Sequence, residues 1–177
     1  MARPEEKRRA GAALGGVMAA GSLAVLWLAC VVPSGRMGVT AAAGLFPMVT
    51  TLYAGPAAGY LCWAAAGLLG LILLPDKGVA LLFLAFFGLY PVVKGGIESL
   101  RRLPLEWVLK LVMFNLVLSL FWFVLRELFL PSPPPWLGEN TPLLLGAGNL
   151  AFIAYDTGLS RLIALLRQRL SRAGKGF

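Results

Sequence analysis

Six apolar stretches of about the length needed to cross a bilayer divide the chain, approximately Ala10 to Val32, Met37 to Ala54, Pro56 to Leu74, Val79 to Ile97, Leu105 to Leu130 and Pro142 to Leu166. Between them lie residues that turn a chain or stop a helix: Pro33-Ser34-Gly35, Gly55-Pro56, Pro75-Asp76-Lys77-Gly78, Arg101-Arg102-Leu103-Pro104 and Pro131-Ser132-Pro133-Pro134-Pro135. The pattern predicts an all-α polytopic membrane protein, a bundle of six transmembrane helices forming one integral membrane domain. The second stretch is short, rich in Ala and Gly, and contains Pro47. It predicts a kinked or partly interrupted helix.

Composition agrees with the pattern. Of 177 residues, 59% are hydrophobic, 21 more are glycine and only 14% are charged. Such a chain is neither a disordered tail nor a water-soluble enzyme. The formal charge of +8 reports topology rather than nucleic acid, because the basic residues are scattered between apolar runs instead of gathered on one helix face. With a cytoplasmic N-terminus, the inner segments hold Arg3, Lys7, Arg8 and Arg9, then Lys94, Arg101, Arg102 and Lys110, then Arg161, Arg167, Arg169, Arg172 and Lys175. The outer segments hold only Arg36, Lys77 and Arg126. That asymmetry places both ends on the cytoplasmic side of the cell membrane. Arg8-Arg9 and the run that follows could open a signal peptide, but the run is longer than the usual h-region and reads as the first span.

Much chemistry is missing. The chain has no histidine and two isolated cysteines, Cys30 and Cys62, so His-dependent triads, His zinc sites and cysteine metal clusters are not expected. Gly174-Lys175-Gly176 lacks the earlier glycine and the hydroxyl residue of a P-loop. Catalysis, a metal and a cofactor are therefore not expected.

The informative residues are the polar ones inside spans, which face a bundle interior or line a path because hydrocarbon penalises them. Lys94, Lys110 and Asp156 fall in the cytoplasmic halves of the last three spans. Either Asp156 pairs with one of the two lysines, or the lysines snorkel while Asp156 pairs with Arg161; Glu98 also stands four residues from Lys94. Asn115 and Asn149 lie further out, as a hydrogen-bonding clasp between helices or as ligand contacts. With them, Tyr90, Arg126 near the outer mouth and Trp136 after the proline run form the candidate substrate-binding set. The first span carries a stripe of small residues, Ala12, Gly16, Ala20 and Ala24, with Gly11, Gly15 and Ala19 beside it. It admits another helix closely, from this chain or from a partner.

Pro33-Ser34-Gly35-Arg36, Leu74-Pro75-Asp76-Lys77, Phe86 through Lys94, Leu105 through Lys110 with Phe114-Asn115, and Asn149 through Phe152 with Tyr155-Asp156 resemble a group of small integral membrane proteins of Gram-positive bacteria. That group is similar in turn to the substrate-binding (S) components of energy-coupling factor (ECF) vitamin transporters. The resemblance implies a six-helix subunit that takes a vitamin-like small molecule from outside and docks on a transmembrane coupling subunit driven by two ATPases. Ala12, Gly16 and Ala20 would match the small-residue docking pattern, with Gly16 in place of an alanine. No substrate motif carries over. The other partners implied are membrane lipids and no nucleic acid; the alternative is a membrane scaffold or cell-envelope assembly subunit. If the topology is right, an impermeant reagent added to intact cells should leave cysteines introduced at either terminus unlabelled, and labelling of one terminus alone would require an odd number of crossings.

Overall fold

The computed structural model describes residues 4–100, 102–123 and 141–173, and within them every regular element is helical. The elements are α1 (Pro4–Val31), α2 (Arg36–Ala43), α3 (Leu45–Ala54), α4 (Pro56–Leu73), α5 (Lys77–Leu82), a π-helical turn (Phe83–Phe87), α6 (Leu89–Glu98), α7 (Leu103–Phe123) and α8 (Thr141–Ala173). Among the described residues, five stretches are long and apolar enough to cross a membrane: Arg9–Val31, Arg36–Ala54, Pro56–Leu73, Lys77–Glu98 and Leu103–Trp122. The molecule is thus an all-helical chain of the multi-pass membrane type. α8 has 33 residues and reaches about 50 Å at ~1.5 Å per residue. It is long enough to cross, but Asn149, Asp156 and Arg161 make it more polar than the other five. The sequence-predicted segment from Val124 to Leu130 lies outside the described residues.

The chain divides into two compact units, Met1–Glu106 and Trp107–Phe177. In the first, α1 lies against α2, α3, α4 and α5, and α3 against α4 and α6. Small residues make this closeness possible. Gly11 and Gly15 of α1 face Ala54, Thr50 and Ala58 of the next two spans, and Ala19, Leu26 and Ala29 are buried with Ala43, Cys62, Ala66, Leu74, Val79 and Phe83. The ends follow local chemistry. Gly35 takes the left-handed conformation before α2 (φ 80°), Pro56 opens α4 where its missing N–H costs nothing, and the Asp76 carboxylate accepts from the Gly78 amide at 2.9 Å to cap α5.

Two spans are broken near their middles. The second is interrupted at Gly44, three residues before Pro47, where the sequence predicted the irregularity. The displacement has a simple cause. Pro47 has no N–H for the carbonyl four residues earlier, Ala43, so the regular ladder fails on the N-terminal side of the proline. That carbonyl accepts instead from the hydroxyl of Ser22 on α1, at 3.0 Å and fully buried. The fourth span contains the π-turn, closed by the Gly88 amide donating to Phe83 at 2.8 Å. The bond this leaves unmade at Leu84 is supplied by Trp63 of α4, whose Nε1 donates to the Leu84 carbonyl at 3.1 Å.

Ser22→Ala should lower the stability of the purified protein by about 1–2 kcal/mol, because it strands a buried carbonyl. Pro47→Ala restores a backbone donor, so Ser22→Ala should cost much less in that background. Thermal unfolding of the two single variants and the double in detergent measures this coupling.

Candidate functional site

The breaks of the second and fourth spans meet. No side chain fits at Gly44, because a Cβ there would overlap the Phe87 carbonyl. Phe87 is also the residue four before Pro91, which has no N–H to offer it. One proline-disturbed helix therefore rests its glycine on the backbone of another, and the close Cα–H to carbonyl approach adds a weak attraction of its own. Gly88 is equally confined, between the rings of Phe83 and Trp63. Around this knuckle Ser22, Thr40, Thr50 and Tyr90 are fully buried, as is Phe83. Hydroxyls of Thr40, Thr50 and Thr51 are satisfied within their own helices, on Arg36, Phe46 and Pro47 carbonyls at 2.7–2.8 Å.

At the start of these two spans, Arg36 Nη1 donates to Asp76 Oδ2 at 3.0 Å, with both side chains partly in the open. Lys77 beside it folds back and donates to the carbonyls of Ile72 and Leu74, closing the end of α4.

The sequence-predicted residues belong partly to the first unit and partly to the second. Lys94 is wholly buried, 2.9 Å from the Glu98 carboxylate and 5.9 Å from the centre of the Tyr90 ring. Tyr90 is stacked on Phe86, with ring centres 5.2 Å apart. Lys110 and Asp156 lie in the second unit, where they pair with each other at 3.3 Å while Lys110 also sits 5.7 Å from the Trp107 ring. Arg161 is exposed. Within the first unit Lys94 is thus paired with Glu98, and within the second Lys110 is paired with Asp156.

Asn115 and Asn149 are brought face to face. Each Nδ2 donates to the other's Oδ1, at 2.9 and 3.1 Å, and each also donates to the carbonyl one turn earlier on its own helix. Both N–H bonds of each amide are used, so in this arrangement the pair is a clasp between helices. Phe114 stacks on Phe152 at 4.6 Å beside it. From Lys110–Asp156 through Phe114–Phe152 to Asn115–Asn149, α7 and α8 run antiparallel. Opposite that seam α8 presents Ala147, Ala151, Ala154 and Gly158, all exposed. Arg126 and Trp136 lie outside the described residues.

Sequence reasoning did not single out Ser22, Gly44 or the Trp63 indole. Their roles depend on partners more than 20 positions away, and no local spacing marks them. Nor did it single out the α8 stripe, although that stripe repeats every three or four residues as the first-span stripe does. Compared with protein-family models, curated proteins and solved structures, the chain matches none.

Removing one member of the Lys110–Asp156 pair takes a close charge partner from a group that stays buried. Asp156→Asn or Lys110→Met should each cost about 3–5 kcal/mol, whereas an apolar double replacement of similar volume should recover most of the loss. Melting temperatures of the three variants decide it, and an unchanged value for Asp156→Asn would remove the pair's structural role.

Proposed function

We propose that the chain is the substrate-capture subunit of an ECF-type importer, spanning the membrane six times with α8 as the last crossing and both termini in the cytoplasm. A vitamin-like small molecule would enter from the outside and rest in the outer half, with Arg126 and Trp136 near its mouth. In this reading Asn115 and Asn149 hold α7 to α8 rather than touch the ligand, and Tyr90 and Lys94 belong to the inner half of the fourth span.

The observation that carries the reading is the division of labour on α1. Its Gly11, Gly15 and Ala19 line is spent on the neighbouring helices, whereas Ala12, Gly16, Ala20 and Ala24 remain exposed and a side chain at Gly16 would meet open space. A lipid-facing helix has no need of such a bare face, and a partner helix does. Ala12, Gly16 and Ala20 are accordingly the contact with the membrane coupling subunit, which works with its ATPases.

The rival reading, a membrane scaffold or cell-envelope assembly subunit, gains from the Asn115–Asn149 clasp, because it needs no ligand and would fill the space between its helices with such contacts. Purification from the native host followed by mass spectrometry separates the two. Capture predicts a bound small molecule and co-purifying ATPase subunits, and Gly16→Leu should reduce the co-purifying subunits at least tenfold, a loss of ~1.4 kcal/mol in affinity, with no change in melting temperature. Envelope-synthesis proteins in their place would establish the rival.

A further inference from the structure

The two broken spans are alike in construction. Each begins with a short half-helix, α2 of eight residues and α5 of six, runs into an irregular joint, and resumes as a ten-residue helix, α3 or α6. The first halves touch each other, and α2 also touches the π-turn. They are held at both ends. At the start the tie is the half-exposed Arg36–Asp76 ion pair, and at the joint it is Gly44 seated on the Phe87 carbonyl. The two ties differ in kind. The first is a pair of side chains in reach of water, which is weak and easily exchanged. The second is a contact between backbones with no side chain interposed, where angle can change without a bulky group being displaced.

Each joint also lacks a regular ladder bond and draws its replacement from a helix that does not bend. Ser22 of α1 holds Ala43, and Trp63 of α4 holds Leu84. The joints are thereby anchored, while five of the eight residues of α2 are small, Gly38, Thr40, Ala41, Ala42 and Ala43, and Val39 is its one bulkier side chain packed against the core. Gly–Pro interruptions and π-turns are the places where membrane helices bend, and residues at element ends absorb the backbone change in hinged closures.

We infer that α2 and α5 are a pair of gate leaves, pivoting at the Gly44–Phe87 knuckle and latched by Arg36–Asp76, which open a cleft from the outer surface to the middle of the first unit. The direction of access rests on the capture reading. The hinge does not.

Hydrogen exchange on the ligand-free protein in lipid nanodiscs tests it directly. Asp76→Asn breaks the ion pair yet keeps an N-cap for α5, and Arg36→Gln breaks it from the other side. Each should raise exchange in residues 36–43 and 77–87 about two- to fivefold, the range an exposed ion pair commands. The double variant should add nothing further, and residues 45–54 and 89–98 should stay unchanged. A chemical cross-link between Arg36→Cys and Asp76→Cys, in a chain lacking Cys30 and Cys62, should slow exchange in the same two segments only. The gate is overturned if first and second halves of a span exchange together, or if neither the broken nor the cross-linked latch changes them. Labelling of Arg36→Cys by an impermeant thiol reagent from the cytoplasmic side alone would overturn the outward direction. The capture reading fails independently, when no small molecule or ATPase accompanies the native protein, and that result leaves the hinge standing.

Discussion

A carbonyl freed inside a lipid-embedded helix has no water to turn to, and much of this fold is arranged around that constraint. Pro47 and Pro91 each remove a donor in mid-span, and the π-turn removes another. Replacements come from Ser22, from the Trp63 indole, and from the close seating of Gly44 on Phe87. These partners fix which helices must be neighbours. α1 has to stand beside the second span for its serine to reach Ala43, and α4 beside the fourth for its indole to reach Leu84. Small residues along α1 then let the backbones approach closely enough for those bonds to form. Backbone hydrogen bonding and apolar packing thus select the same arrangement, the agreement between levels expected of a sequence with one favoured structure.

The second unit solves the same problem with side chains. Its helices carry a lysine, an aspartate and two asparagines within apolar sequence, and across α7 and α8 the lysine meets the aspartate and the asparagines meet each other. The ion pair and the amide pair flank a stacked pair of phenylalanines, so polar and apolar contacts alternate along the seam. Such pairing specifies register as much as strength. Sliding one helix by a turn would separate both polar pairs at once.

The helices were legible from the sequence because apolar length and helix-breaking punctuation are local signals. The first four spans agree with the apolar stretches to within two residues at each end, as does the start of the fifth, whose expected end at Leu130 lies outside the described residues. α1 begins at Pro4 and α8 ends at Ala173, beyond the apolar runs, because a helix continues as readily through Glu5-Glu6-Lys7 and Arg167-Gln168-Arg169 as through leucine. Pro47 announced an irregular second span but not its location, which follows from the carbonyl it disables. Residue type narrowed the partners of Lys94, Lys110 and Asp156 without choosing among them, since the choice depends on which helix faces reach one another. Ser22 and Trp63 left no trace in spacing at all.

The π-turn has one further effect. At about 3.6 residues per turn, the surplus residue between Phe83 and Phe87 rotates everything that follows by roughly 100° relative to an uninterrupted helix. Tyr90, Val92 and Lys94 owe their place in the interior to that single offset. The stretch therefore behaves as a phase setting: its length, more than the identity of its letters, decides which surface of the following helix is inside, and losing one position there would turn an aromatic ring and an ammonium group outward toward the acyl chains.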